Sequence, residues 1–270
     1  MTILETAYAK INLALHVRRR REDGYHELET LFAFVDFGDH LAVEPALHDE
    51  LIVTGEFAGA LEDPFGNIVA KALNSLPHGK GWRITLEKRL PVAAGLGGGS
   101  ADAGAVFRMV ERAYGLPDGW LEKAAKLGAD VPACVASVAC IGTGIGTELA
   151  PLDNDLAGLW ALLVNPRRPL ATGPVFKAWD AIDRGPLPTG RARAIAQAGR
   201  NDLATPAQLL CPVIADVLAA LEASHPWLAR MSGSGATCFA LYECESEAAA
   251  AQTRLAVEHP QWWYATGALR

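Results

Sequence analysis

The chain has 270 residues, half of them hydrophobic and a fifth charged, with a formal charge of −7. That length is enough to bury a full core, as one large domain or two small ones, and the acidic balance argues against a general nucleic-acid surface. No apolar run is long enough to span a bilayer and no signal-peptide pattern opens the chain, so a cytoplasmic protein without a membrane partner is expected. The five cysteines lack paired C-x-x-C spacing and the seven histidines include no H-x-x-x-H pair, which argues against a disulfide framework or a zinc site and for reduced thiols.

Thr2 to Val17 reads as one or two extended segments, in which Leu13, Leu15 and Val17 alternate with Asn12, Ala14 and His16. Lys10 has two readings there. It is a lysine snorkelling from a strand edge, or a partly buried ammonium aimed at anionic groups. Arg18 to Gly24 reads as a charged turn signalled by Asp23-Gly24, with its four arginines at a solvated hairpin tip. Tyr25 and His26 follow, and Leu28 to Phe37 is a core-like stretch carrying Leu31, Phe32, Phe34 and Phe37. Glu50 to Glu56 reads as a short strand. Asn67 caps a helix whose apolar side is Ile68, Val69, Ala72, Leu73 and Leu76.

The most informative stretch is Pro91 to Asp102. Trp82, Ile84 and Leu86 alternate with polar residues before it, which predicts a strand, and Val106, Met109, Val110 and Ala113 recur at helical spacing after it. Between them stand Gly95, Leu96, Gly97, Gly98, Gly99, Ser100 and Ala101. Glycine lets the backbone approach a ligand closely, and a helix N-terminus offers unpaired N–H groups with a partial positive charge. Strand, glycine loop and helix together make a seat for phosphate. No lysine precedes Ser100, so this is not a Walker A loop, and the G-x-G-x-x-G spacing of dinucleotide folds is not met.

Leu121 to Leu127 reads as a short helix ending near Gly128. Asp130, ahead of Pro132, is either a helix cap or a carboxylate placed to accept a proton from an attacking alcohol. Gly142 to Glu148 is a glycine-rich turn between strands. Leu159 to Asn165 is a continuous apolar strand, and a helix begins at Thr172 and includes Phe176. Asp183 to Gly190 reads as a linker, and Asn201-Asp202-Leu203 follows. Pro212 to Glu222 is an amphipathic helix. Met231 to Phe239 is a Gly-Ser loop leading into a strand from Thr237 to Tyr242, and a helix over Ser246 to Glu258 and a strand near Trp262 to Ala265 close the chain.

Taken in order, Ala9-Lys10-Ile11-Asn12, Asp23-Gly24-Tyr25-His26-Glu27-Leu28, the Pro91–Ala101 loop, Gly128-Ala129-Asp130-Val131-Pro132 and Ser232-Gly233-Ser234-Gly235 resemble the signatures of the GHMP kinases. Within them they resemble the branch acting on 4-diphosphocytidyl-2-C-methyl-D-erythritol. The sequence departs from that pattern at Thr147 and Ala204, where glutamate is usual. The resemblance implies an α+β, two-lobed GHMP kinase fold. An N-terminal lobe like ribosomal protein S5 domain 2 would span 1–150 and a ferredoxin-like C-terminal lobe 151–270. It implies a small-molecule kinase of the non-mevalonate isoprenoid pathway that uses ATP and Mg²⁺, the ion held mainly through the ATP phosphates with no protein metal ligands, and a monomer or weak homodimer. By the same resemblance, Lys10 and Asp130 are catalytic. Pro91, Gly95 to Ala101 and Asn67 hold the nucleotide, and Asn12, Tyr25, His26 and Phe176 bind substrate, the aromatic residues at the cytosine ring.

Overall fold

The structure, a computed structural model, describes residues 2–60 and 67–270. The chain opens with two long strands, β1 (Ile3–Arg20) and β2 (His26–Ala46), then β3 (Glu50–Thr54), α1 (Ile68–Ser75) and β4 (Gly81–Glu87). Three helices follow, α2 (Gly98–Tyr114), α3 (Trp120–Leu127) and α4 (Val131–Ala136), and then β5 (Cys140–Gly144), β6 (Glu148–Ala150) and β7 (Trp160–Asn165). The remainder is α5 (Thr172–Lys177), α6 (Ala192–Ala198), α7 (Ala204–Leu210), α8 (Val213–Glu222), β8 (Leu228–Met231), β9 (Cys238–Tyr242), α9 (Glu245–Glu258) and β10 (Trp263–Ala268).

These elements form two compact units, neither of them a continuous segment. The first comprises Met1–Ala9, Gly38–Val92 and Gly97–Ser137, and the second Lys10–Phe37, Ala93–Leu96 and Val138–Arg270. In the first unit the C-terminal half of β2 pairs antiparallel with β4, Leu41 opposite Leu86 and Val43 opposite Ile84, and β3 lies parallel on the far side of β4. Trp82, Ile84 and Leu86 are buried and their neighbours are not, so the period-two pattern of the sequence is the pleat of β4. Helix α2 buries Val106, Phe107, Met109 and Val110. Its Gly104 packs backbone to backbone on α4: a Cβ there would stand 2.6 Å from the Cys134 carbonyl carbon and oxygen. Asn67 caps α1 as expected, its Oδ1 accepting from the Val69 N–H at 2.9 Å.

In the second unit the N-terminal half of β2 pairs with β5 from Leu28–Gly144 to Phe32–Cys140, and β5 turns back into β6. A separate antiparallel sheet runs β10-β7-β9-β8. Its inner strand β7 is buried from Ala161 to Asn165, which accounts for the unbroken apolar run in the sequence. Val217 and Leu221 of α8 and Ala248 and Leu255 of α9 share its core with Leu162 and Val164. The result is an α+β fold with two sheets.

Two features differ from the sequence reading. First, β1 continues through Arg18, Arg19 and Arg20, so only Arg21 onward belongs to the turn. Arg18 is held 3.4 Å from Glu29 and 3.1 Å from Asp183, and Arg20 donates to the Lys177 and Trp179 carbonyls at 3.0 and 2.7 Å. Partners on neighbouring segments thus hold Arg18 half-buried, while Arg19, Arg20 and Arg21 stay exposed, as a solvated tip requires. Second, α6, α7 and β8 are additional elements. They have seven, seven and four residues, too short for a periodic signal.

His16 locks the second unit near its linker. Buried in β1, it donates from Nδ1 to the Gly185 carbonyl at 3.1 Å and accepts at Nε2 from the Arg200 N–H at 3.2 Å. Only the neutral ring fits both partners. Burial, and then the Arg200 charge, hold it below its ordinary 6.5. The unfolded chain therefore takes up the proton first as pH falls. The stability His16 contributes is complete above about 6.5 and is lost as pH drops through the lower folded value. Melting temperature in the wild type is expected to fall from pH 7.5 to pH 5, and to fall less in His16→Asn when both are followed by circular dichroism. Equal slopes would exclude the effect.

Candidate active site

In the first unit the glycine run opens α2. Gly97 is its N-cap at φ +63° with no side chain capping the helix, a left-handed conformation that favours glycine. The first-turn amides of α2 therefore have neither a side-chain cap nor an intrahelical acceptor. The first bond of the turn is Ala101 N–H to Gly97 O at 2.7 Å. Cβ atoms at Gly98 and Gly99 would meet only ordinary contacts. The uncapped amides of the first turn, not a close approach at these two glycines, are what suits a phosphate cradle. Ala101 and Leu96 are buried and Pro91 lies in the approach to the loop, also buried, so these three shape the loop from behind.

Asp130 is carried to this loop by helix packing. The close contact of Gly104 with Cys134 joins α2 to α4, and a Cβ at Gly128 would stand 3.7 Å from the Ser100 Oγ. The Gly128–Asp130 turn therefore lies beside the first turn of α2. Asp130 precedes α4 yet its side chain makes no cap hydrogen bond. Capping does not account for this residue. Asn67 is different: its Oδ1 is spent on the α1 cap, and Ile68 beside it lines the far side of Gly99.

Behind the loop lies a buried charge cluster that sequence reasoning missed. Lys88 donates to Asp39 Oδ2 and, at 2.7 Å, to Asp102 Oδ2, and all three are almost wholly buried. Asp39 Oδ1 also accepts the Arg89 and Leu90 N–H groups at 2.6 and 2.8 Å, while Asp102 Oδ1 is buried with no hydrogen-bond partner. Burial opposes the Lys88 charge, but Asp102 and Asp39 more than reverse it, and the ammonium is held above its usual range. Burial drives the Asp102 carboxyl well above its own. The Lys88 Nζ sits 3.6 Å from where a Gly98 Cβ would be. The signal was present as an aspartate among alanines in α2, five residues after Gly97.

In the second unit, Lys10 and Asn12 are buried on β1. The Lys10 ammonium donates to Asn12 Oδ1 at 2.9 Å and lies 5.3 Å from the Phe32 ring centre. Gly95, at φ +78°, fits only as glycine because a Cβ would overlap the Ser232 carbonyl oxygen. Ser232 ties three segments together: its hydroxyl donates to Gly95 O at 2.8 Å and accepts the Asn12 N–H at 3.2 Å. Asn201, of the Asn-Asp-Leu string, donates to the Met231 and Gly233 carbonyls at 2.8 Å each, so it holds the Gly-Ser loop in place.

The same unit brings His26 to Phe176, ring centres 4.9 Å apart, with Trp179 edge-on at 5.8 Å. The His26 Nε2 is buried without a hydrogen-bond partner, and burial, followed by the Arg20 charge, lowers its pKa. A neutral imidazole with an unsatisfied nitrogen beside an aromatic face suits a polar heterocycle. Tyr25 lies next in the chain but is 59% exposed. Trp179 had no distinguishing mark in the sequence. Glu148, in the β5–β6 hairpin, is exposed and accepts from the Thr143 hydroxyl at 3.2 Å, as a turn residue does.

The chain is similar to known proteins over its whole length. The family description "GHMP kinases N terminal domain" matches residues 66–138, and "GHMP kinases C terminal" matches 187–260. The chain is 68% identical over 270 residues to the 4-diphosphocytidyl-2-C-methyl-D-erythritol kinase of Novosphingobium aromaticivorans, covering 100% of this chain and 94% of that one. It is 62% identical to the protein of the same name from Erythrobacter litoralis, covering 99% and 100%. A crystal structure of 4-(cytidine 5'-diphospho)-2C-methyl-D-erythritol kinase superposes with a TM-score of 0.81 at 34% identity, covering 99% of both chains. Homoserine kinase from Cytophaga hutchinsonii, at TM-score 0.68 and 16% identity, shares the fold and covers 99% of this chain and 95% of that one. With both family halves matched and identity sustained from end to end, the chain belongs to the GHMP kinases, in their 4-diphosphocytidyl-2-C-methyl-D-erythritol kinase family.

Proposed function

We propose that this chain carries out the reaction its relatives are named for: ATP-dependent phosphorylation of the C2 hydroxyl of 4-diphosphocytidyl-2-C-methyl-D-erythritol, giving the 2-phosphate and ADP, in non-mevalonate isoprenoid precursor synthesis. The observation that carries it is the 68% identity across the whole chain. The His26–Phe176 pair supports the cytidyl substrate in particular, because a small alcohol such as homoserine or mevalonate has no base to set against it.

When bound, ATP supplies the γ-phosphoryl group, and Mg²⁺ neutralises charge on its phosphates. The ion is assigned mainly to the ATP phosphates. Gly97 to Ser100 offer the amides and positive helix end that hold those phosphates. Asn67 borders the nucleotide and Pro91 fixes the entry to the loop. Asp130 accepts the proton of the C2 hydroxyl as its oxygen attacks in line. Lys10, steadied by Asn12, offsets the charge that develops at that oxygen. His26, Tyr25 and Phe176 hold the cytosine.

An ADP-release assay with ATP and Mg²⁺ tests the reading against three acceptors: the cytidyl substrate, homoserine and mevalonate. Turnover is expected with the first alone. Turnover with another alcohol would retain the Asp130 chemistry and discard the cytosine pocket, and nucleotide binding without any turnover would discard the activity.

A further inference from the structure

We propose that Thr30 is a positioning residue for the transfer chemistry: it fixes which way round the Asn12 amide stands, and so presents an acceptor to the Lys10 ammonium. The inference rests on the part given to Lys10 in the reaction above.

Thr30 lies on β2 and is 1% exposed. Its hydroxyl donates to the Ala14 carbonyl at 2.7 Å, and Asn12 Nδ2 donates to that hydroxyl at 2.8 Å. A hydroxyl has one proton and two lone pairs, and a backbone carbonyl only accepts. The Thr30 proton is therefore committed to Ala14, and what Thr30 turns toward Asn12 is a lone pair. Only the NH₂ end of the amide can meet it. The carboxamide oxygen must then face the other way, where the Lys10 Nζ lies 2.9 Å from it. The ammonium is a donor alone and demands the same orientation. Both ends of the chain of bonds thus agree, and the order of donors runs Lys10, Asn12, Thr30, Ala14 without a conflict.

Valine at position 30 keeps the branched shape but neither accepts nor donates. The Asn12 Nδ2 would lose its acceptor in a buried place, and the oxygen it turns to Lys10 would no longer be anchored from behind. Even a small shift of the ammonium matters, since misplacing a catalytic group by about an ångström costs up to roughly 100-fold in rate. Serine keeps the hydroxyl and should keep the orientation.

The test compares Thr30→Val, Thr30→Ser and Lys10→Met by steady-state kinetics. Thr30→Val is expected to lower kcat by roughly 10- to 100-fold, with KM for ATP changed less than about twofold, and Thr30→Ser to restore kcat. A merely structural role would not split kcat from KM or be rescued by serine in this way. Wild-type kcat in Thr30→Val, with Lys10→Met inactive, overturns the positioning role alone. Near-normal turnover in Lys10→Met overturns the part given to Lys10 instead. Should Thr30→Val not fold, the wild-type protein decides by nuclear magnetic resonance. Overhauser contacts from the Asn12 amide protons to the Thr30 methyl support the orientation, and contacts to the Lys10 ε-methylene in their place overturn it.

Discussion

Asp130→Asn is expected to lower turnover by roughly two to four orders of magnitude, the range over which a lost general base is felt, while leaving the melting temperature almost unchanged. The two halves of that expectation come from different observations. The kinetic half follows from the chemistry: an amide cannot take the hydroxyl proton, yet it occupies nearly the same space. The stability half follows from the local structure. Asp130 stands at the head of α4 but makes no cap hydrogen bond with its side chain, so the substitution removes no cap. The contact of Gly104 with the Cys134 backbone is likewise undisturbed by asparagine. Steady-state ADP release and thermal unfolding on the same preparation check both. Near-normal turnover would remove Asp130 from the mechanism. A large loss of stability would make any kinetic loss uninformative, and Lys10→Met would then have to decide.

Lys88→Met is expected to cost about 3–5 kcal/mol of stability, the usual result of removing one partner from a buried ionic cluster. Methionine fills the lysine stem well enough that packing is not the issue. The cost lies in Asp39 and Asp102, whose Oδ2 atoms lose the ammonium they share. Asp39 retains two backbone N–H donors, whereas the ammonium is the donor on which Asp102 relies. Asp102→Asn should cost less than Lys88→Met, because an amide keeps an acceptor oxygen for the Lys88 ammonium and Asp39 remains to balance its charge. Urea unfolding of the two variants measures the difference. If Lys88→Met unfolds within about 1 kcal/mol of the wild type, the cluster contributes nothing net, as exposed pairs commonly do. Because Lys88 lies directly behind Gly98, the variant should also raise KM for ATP.

The parts of this molecule that were legible in the sequence are those set by neighbours in the chain. The alternation of Trp82, Ile84 and Leu86, the glycine run and the apolar stripe of α2 each depend on residues a few places apart, and each stands where the pattern put it. So does the Asn67 cap. Of the site residues named from motifs, Lys10 and Asn12 are buried and bonded to each other and His26 lies against Phe176, while Tyr25 is exposed and Asn67 caps α1. What the sequence withheld are partnerships across long separations. Asp39 and Lys88 are 49 residues apart and Asn201 and Gly233 are 32 apart, and nothing local marks either pair. Arg18 looked like part of a solvated turn because its partner Asp183 lies far along the chain. Thr30 was invisible for a further reason: its importance lies in the direction of one proton, which no residue pattern encodes.

The strands β1 and β2 run through 18 and 21 residues without a break, and each begins in one compact unit and ends in the other. The chain passes between the units after residues 9, 37, 92, 96 and 137. This weaving has a consequence for how the protein is made. A nascent chain that has emerged as far as Ser137 already holds every segment of the first unit. The second cannot close until its last strand, Trp263–Ala268, has left the ribosome and taken its place beside β7. Lys10 to Phe37, synthesised well before that strand, must wait for it. A ribosome stalled once Ser137 has emerged would therefore present a finished first unit joined to strand segments that still lack most of their core, which is the surface a chaperone would recognise.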